Sequence, residues 1–468
     1  MNELAIVLQP SSQQHLYLQI YEHIVEEIKE RKLLPGEKLP SIRFLAQYLQ
    51  VSRSTVELSY EQLLAEGYVE AKPYRGYYVN QIDYLVGMNT QRVSKEEVEE
   101  RVFEYTYDFS PTDVQKEGFP FSVWKKVQKV ALAENELKLF ALGNPQGEEA
   151  LRSVIARYLH ASRGVKCEKD QIIVGAGNDY LLMLLEKIIG NRQIVAIENP
   201  TYQRAYKIFQ SFTYKVNAVE MDGSGMKTEA LYESGATIAY VMPAHQFPTG
   251  IVMPIARRME LLTWANEEKE RYIIEDDYDS EFRYRGRPVK ALQSLDEHGK
   301  VIYMGTFSKS IAPAIRISYM VLPMSLVNQY KKNAYFYSST VSRVDQATLE
   351  IFMRDGYFER HLNKMRKIYK EKHDVLLQAL KPYGDWIQVT GNHMGLHLII
   401  EYVGSKTQEQ LLEEAEGVGV KLYPMKQYWV ESPMLNSSRK QFLLGYASME
   451  LEKIPKGITK LMSTWEVS

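Results

Sequence analysis

The sequence predicts an α/β chain of two unlike parts, 1–80 and 107–468, joined by a polar stretch, 81–106. Two observations carry this division. In the first part, apolar side chains recur at helical spacing three times and then give way to two short extended pieces. From residue 107 onward, short apolar runs alternate with amphipathic stretches. That is the pattern of a mostly parallel sheet covered on both faces.

Tyr17, Tyr21, Ile24 and Ile28 share one face of a first helix, which Leu33-Leu34-Pro35-Gly36 closes with turn chemistry. Ser41 is the N-cap of a second helix, with Leu45, Ala46 and Leu49 inward. Ser52 caps a third, with Val56, Tyr60, Leu63 and Leu64 inward, ending at Glu66-Gly67. Extended pieces at Tyr68–Ala71 and Gly76–Val79 then flank the turn Lys72-Pro73-Tyr74-Arg75. Three helices and a small hairpin make a winged helix-turn-helix, whose third helix enters the DNA major groove by its N-terminal end. Ser52, Arg53, Ser54 and Thr55 then lie at the DNA, Arg75 and Gly76 at the wing tip, and Ser41 and Arg43 at phosphates.

Residues 1–80 hold eight Lys/Arg and ten Asp/Glu, so the usual basic footprint is missing. The bases gather between Lys29 and Arg53 and at the wing. A locally basic face on an acidic module predicts weak, salt-sensitive binding by one copy, and two copies on a repeated site. Residues 81–106, with Lys95-Glu96-Glu97 and Glu99-Glu100-Arg101, read as a linker with a short helical patch.

In the large part, strands are predicted at 171–174, 193–197, 213–219, 238–242, 272–274, 301–304 and 317–321. Helices fall between them, as at 148–160, 179–189 and 253–270. Such sheets bind ligands beyond the carboxyl ends of their strands. Those ends carry Gly177-Asn178-Asp179, then Tyr202-Gln203-Arg204, then His245, then Asp276-Asp277-Tyr278, and then Gly305-Thr306-Phe307-Ser308-Lys309-Ser310 followed by Arg316. A lysine after a buried strand can form a Schiff base, and the hydroxyls and guanidinium beside it suit a phosphate. Alone, that hexamer is weak evidence, since most Ser-Lys pairs belong to solvated loops. Gly177 at a helix start exposes backbone amides to an anion. A lysine, an anion site and a carboxylate for a ring nitrogen are together what pyridoxal 5'-phosphate requires.

Composition excludes little. Net charge is −2, and 45% hydrophobic with 25% charged residues is ordinary for a soluble globular chain. One cysteine, Cys167, points to a reducing, cytoplasmic setting without disulfides. No zinc spacing, signal peptide or membrane span is predicted.

Four blocks make the first part resemble the DNA-binding domain of GntR-family regulators: Leu39-Pro40-Ser41-Ile42-Arg43-Phe44-Leu45-Ala46, Val51-Ser52-Arg53-Ser54-Thr55-Val56, Leu64-Ala65-Glu66-Gly67-Tyr68-Val69 and Arg75-Gly76. The remainder resembles fold-type I pyridoxal-phosphate enzymes, the aspartate aminotransferase-like group. The resemblance makes Lys309 the Schiff-base lysine and Asp276 the ring-nitrogen carboxylate. Tyr278 falls to the ring oxygen, Tyr202 to the ring, and Thr306, Arg316, Gly177, Asn178 and Asp179 to the phosphate. Departures are visible. Phe247-Pro248-Thr249-Gly250 lacks the enzymes' asparagine, with His245 or Gln246 as candidate substitutes. Leu142 stands where a tyrosine is usual, and Phe442-Leu443-Leu444-Gly445-Tyr446 lacks the arginine for a substrate carboxylate. Arg204 and Arg439 are the arginines left for that role.

The combination resembles the MocR/GabR subfamily of transcriptional regulators. That implies a homodimer, head-to-tail, on double-stranded promoter DNA, with an amino compound or pyridoxal phosphate itself sensed by aldimine chemistry at Lys309. The rival reading is a working aminotransferase that kept a DNA-binding domain, with the departures limiting it to a slow half-reaction. A third is a DNA-binding protein with a purely structural large domain.

Overall fold

Two serines organise the smaller of two units. Ser41 accepts the amide of Phe44 at 3.2 Å and starts α2 (Ile42–Leu49). Ser52 accepts the amide of Thr55 at 3.2 Å and starts α3 (Arg53–Ala65). Each satisfies an amide that the first helical turn leaves free. With α1 (Leu16–Lys29) they enclose an apolar core of Ile20, Ile24, Leu45, Val56, Tyr60 and Leu63. Tyr60 also donates to the Pro40 carbonyl at 2.9 Å. Strands β1 (Val69–Lys72) and β2 (Gly76–Val79) pair antiparallel as the wing. Leu64, expected inward, is 40% exposed, because it falls on the flank of the buried stripe.

This computed structural model describes residues 6–9, 14–81, 105–134, 137–284, 286, 288–391, 394–430 and 439–465. The small unit is Met1–Val102 and the large one Phe103–Ser468. The expected linker, 82–104 of it, lies outside the described residues.

The large unit opens with β3 (Tyr107–Asp108), α4 (Phe121–Glu134) and α5 (Glu149–Arg163). Its main sheet comprises β4 (Ile172–Gly175), β5 (Ile194–Asn199), β6 (Lys215–Asp222), β7 (Gly225–Met226), β8 (Ile238–Val241), β9 (Tyr272–Asp277), β10 (Val301–Thr306) and β11 (Ser318–Val321). Their order is β4-β11-β10-β9-β8-β5-β6-β7. Strands β10, β9, β8, β5 and β6 run parallel, while β11 is antiparallel to both neighbours. Helices α6 (Asn178–Ile189), α7 (Gln203–Ser211), α8 (Thr228–Glu233), α9 (Ile255–Glu267), α10 (Met324–Asn333) and α11 (Arg343–Arg354) accompany it. Apolar cores including residues of α5, α6, α9 and α11 cover the sheet, which is why β4 and β8 are buried throughout and read as unbroken apolar runs.

A second sheet, absent from the sequence reading, is antiparallel. It joins β12 (Ile387–Thr390), β13 (His397–Tyr402), β15 (Tyr423–Pro424) and β16 (Lys440–Gly445) in the order β12-β13-β16-β15. It packs with α12 (Tyr357–Leu380), α13 (Gln408–Gly417) and α14 (Lys453–Thr464). Strand β14 (Val420–Lys421) pairs with β3, so the start of the unit is tied to its C-terminal part. Phe109 is fully buried there, and its carbonyl accepts the Gly445 amide at 2.9 Å. A Cβ on Gly445 would fall 2.0 Å from the Ser110 carbonyl oxygen, so only glycine lets the two backbones meet. Among the described residues no helix is long and apolar enough to cross a membrane, and no group of side chains could hold a metal ion.

Candidate active site

Register brings Gly175, Ser318 and Thr306 into one row across β4, β11 and β10. The adjoining cavity, about 400 Å³, lies beyond the carboxyl ends of the parallel strands. Lys309, Asp276, Tyr278, Tyr202, Asn178, Asp179, Thr306, Arg204 and Arg316 all line it.

Lys309 follows β10. Its Nζ donates to the carbonyls of Thr112 and Pro111, the latter at 3.4 Å, on the strap that runs on from β3. Desolvation lowers its pKa to about 8, against the opposing charges of Asp279 and Asp113. A fraction of this amine is therefore neutral, and nucleophilic, at physiological pH.

Asp276 ends β9 on the cavity side and is 4% exposed. Burial raises its pKa to about 6, while the hydrogen bond from Tyr240 pulls the other way. Asn178 Nδ2 donates to its other oxygen at 3.2 Å. The next residue, Asp277, points to the opposite face, as alternate strand residues must. There it meets Arg163 Nη2 at 2.7 Å and accepts from Tyr303 at 2.6 Å. The paired aspartates thus divide into one carboxylate for the cavity and one for the core.

The anion corner is built by α6, Thr306 and Arg316. Gly177 precedes α6 with φ +97, and a Cβ there would lie 2.3 Å from Arg316 Nη2. Arg316 and Arg204 both reach Asp179 Oδ2 at 3.4 Å. Thr306 Oγ1 accepts from Ser318 at 2.9 Å and from the Ser308 amide at 3.1 Å. Asn178 Oδ1 is buried and without a hydrogen-bond partner. Two guanidiniums held by one carboxylate, at a helix start, can receive an anion by exchange.

Three expectations change. His245 does not line the cavity. It is buried behind Tyr278, with Nδ1 2.9 Å from Tyr278 Oη and 2.9 Å from Asp279 Oδ2, a place from which it can orient Tyr278. Gln246 is spent on the Pro200 carbonyl, at 2.9 Å, and on Thr249. Phe247 instead faces the cavity. Arg439 is exposed at the start of β16, whereas the end of that strand at Gly445 meets the strap; the strand's length keeps it from the cavity.

In the small unit Ser41, Arg43, Ser52, Arg53, Ser54, Arg75 and Gly76 are exposed and Thr55 is half-buried. Ser52 Oγ is engaged by the hydroxyls of Ser54 and Thr55, both at 2.8 Å, as well as by its capping bond. Its first task is therefore structural.

Sequence reasoning missed Tyr240, Phe247 and the Pro111–Thr112 strap. Tyr240 had a signal: a phenol in a doubly covered strand needs a buried partner. The strap had none, because its meeting with Lys309 spans almost two hundred residues.

Residues 16–79 match the bacterial regulatory proteins of the gntR family, and residues 110–431 match aminotransferase class I and II. The chain is 38% identical to the uncharacterized HTH-type transcriptional regulator YdeL of Bacillus subtilis, over 97% of each. It is 31% identical to the probable rhizopine catabolism regulatory protein MocR of Rhizobium meliloti, over 98% of this chain and 96% of that one. Among solved structures, the multiple substrate aminotransferase of Thermococcus profundus superposes with a TM-score of 0.68 at 26% identity, covering 78% of this chain and 91% of the other.

Proposed function

Because the chain belongs to the MocR/GabR subfamily of GntR-family transcriptional regulators, we propose that its large domain holds pyridoxal 5'-phosphate at Lys309, where an amino compound governs promoter binding by the helix-turn-helix. The observation that carries this reading is the convergence of Lys309, Asp276 and Arg316 on one cavity. A dimerisation scaffold needs none of the three.

The residues fit the group. A glycine at position 177 leaves the space that a side chain would take from an anion beside Arg316. Asn178 carries a buried oxygen without a partner at the same corner. When bound, pyridoxal phosphate supplies an aldehyde that condenses with primary amines and a ring that withdraws electrons when its nitrogen is protonated. Lys309 brings the amine. Asp276, largely ionised at neutral pH, would hold the proton at the ring nitrogen. Arg316, Thr306 and the start of α6 would bind the phosphate. Tyr202 and Phe247 present apolar surface that excludes water, and Tyr278, oriented by His245, is the hydroxyl for the ring oxygen. Arg204 is the guanidinium left for an effector's carboxylate.

Use of the Lys309 amine in covalent capture takes its ammonium away from the Pro111 and Thr112 carbonyls. That strap is separated only by β3, Phe109 and Ser110 from the residues joining the large domain to the DNA-binding module. Ligand state then reaches DNA affinity through the strap, with a coupling of about 1–3 kcal/mol. Two copies suit this arrangement. Leu137, Phe140, Leu142 and Phe336 are 74–93% exposed on the large unit, apolar surface that a second copy in a head-to-tail homodimer would cover.

The test uses purified full-length protein with pyridoxal phosphate and a panel of amino compounds. Absorbance reports capture, and fluorescence anisotropy reports binding to the gene's own promoter. A sensor shows a ligand-dependent change in DNA affinity without sustained conversion. Multiple turnover with a keto acid would make the protein an aminotransferase instead.

Two further outcomes are expected. The capture rate should rise with pH up to about 8 and then level off, since only the neutral Lys309 amine attacks and its pKa is lowered to about 8. Stopped-flow absorbance between pH 6 and 10 checks this; a rate still climbing at pH 10 would mean an ordinary solvated lysine. Gly177→Ala should raise the Kd for pyridoxal phosphate at least about tenfold, because its methyl and Arg316 compete for one place. Equilibrium titration of the variant measures this.

A further inference from the structure

The recognition helix carries an apolar side chain where its neighbours are polar. Val56, Ser59, Tyr60 and Leu63 are the buried face of α3, packed in the core with α1 and α2. Arg53, Ser54, Glu57, Leu58 and Glu61 are exposed along its N-terminal part, while Gln62, Leu64 and Ala65 are exposed in its last turn. Leu58 is 51% exposed and lies outside the module's apolar core. Single exposed leucines are ordinary on protein surfaces. What distinguishes this one is its place, one helical turn after Ser54, in the stripe that a helix-turn-helix turns to the base edges.

The neighbours narrow what Leu58 can meet. Glu57 and Glu61 flank it, and neither is paired with a cation among the described residues. The hydroxyls of Ser54 and Thr55 are both engaged by Ser52 Oγ, at 2.8 Å. An apolar side chain entering the major groove finds one apolar feature on a base edge, the C5-methyl group of thymine. Carboxylates beside it are repelled by phosphates, which disfavours settling Leu58 against the backbone.

We propose that Leu58 is a specificity-determining residue that reads a thymine C5-methyl group in each half-site. This rests on DNA binding by the helix-turn-helix and is independent of the chemistry at Lys309. It also gives the acidic character of the module a role: contacts with phosphate supply less of the affinity, and base-edge contacts correspondingly more.

The experiment uses the full-length protein and a duplex selected by it in vitro from a random pool. Each thymine of that duplex is replaced in turn by deoxyuridine, which removes only the methyl group. The expected result is one thymine per half-site whose replacement weakens wild-type binding roughly fourfold, the factor that burial of one methyl group gives. Leu58→Ala, which loses the contact in both half-sites, should bind the thymine duplex roughly sixteenfold more weakly, and should no longer distinguish thymine from deoxyuridine there. A wild-type scan without a sensitive thymine overturns the proposal, and that scan needs no variant. So does a Leu58→Ala protein that keeps the wild-type sensitivity.

Discussion

Lys309→Ala is expected to abolish covalent capture of pyridoxal phosphate and, with it, every ligand-dependent change in DNA affinity. The fold should survive. Lys309 donates to two strap carbonyls and makes no ion pair among the described residues, so its loss costs about 1 kcal/mol of hydrogen bonding, offset in part because a costly half-buried ammonium disappears. Non-covalent affinity for the cofactor should remain, because Arg316, Thr306 and the start of α6 are untouched. The variant should therefore bind pyridoxal phosphate without developing the absorbance of the captured form, and should bind promoter DNA with one affinity whatever amine is added. A variant that still responds to an effector would move the message away from Lys309 and leave the cavity as a structural relic. The Gly177→Ala protein provides the complementary case, in which affinity falls but the amine is intact.

The candidate site was readable as a cluster because it sits at strand ends, and strand ends are marked by a change from apolar runs to polar and small residues. Gly177 after β4, Asp276 near the end of β9 and Lys309 after β10 stand out by that rule; Asp276 and Lys309 line one cavity, and Gly177 lies against Arg316, which also lines it. The small unit was readable for a related reason: Ser41 and Ser52 announce helices locally, and Val56, Tyr60 and Leu63 repeat at helical spacing. What could not be read is pairing over long separations. Tyr240 with Asp276, Lys309 with Thr112 and Arg163 with Asp277 are set by tertiary packing. The same limit explains His245 and Arg439. Both residue types suit a ligand, but one is drawn into a buried network behind Tyr278 and the other precedes the first residue of β16, at the end of that strand away from the strap. The antiparallel C-terminal sheet escaped because β12 and β15 have only four and two residues, and because β13 and β16 pair across about forty residues that include a helix, α13.

Arg163→Met is expected to destabilise the large domain by about 3–5 kcal/mol, the cost of leaving a buried carboxylate without its cation. Arg163 is 3% exposed and Asp277 6%. The guanidinium gives Asp277 Oδ2 contacts at 2.8 Å from Nε and 2.7 Å from Nη2, and also donates to the Val289 carbonyl. Glu275, nearby, is raised to about 7 by burial, so Asp277 is the principal counter-charge. Arg163→Lys should recover little, because one ammonium cannot reproduce a fork that reaches a carboxylate and a backbone carbonyl together. Arg163→Met combined with Asp277→Asn should recover much of the loss, since it removes the charge that was stranded. Urea denaturation of the parent, Arg163→Met, Asp277→Asn and the double variant measures this cycle, with Arg163→Lys alongside it. The cofactor adds a second reading. Asp277 adjoins Asp276, so a carboxylate seeking water would pull the end of β9 out of place. Pyridoxal phosphate should then bind Arg163→Met more weakly and bind the double variant nearly as well as the parent. If both variants lose the cofactor equally while only one loses stability, the Arg163 guanidinium, absent from both, shapes the cavity in its own right, and the account of a stranded Asp277 pulling β9 out of place is wrong.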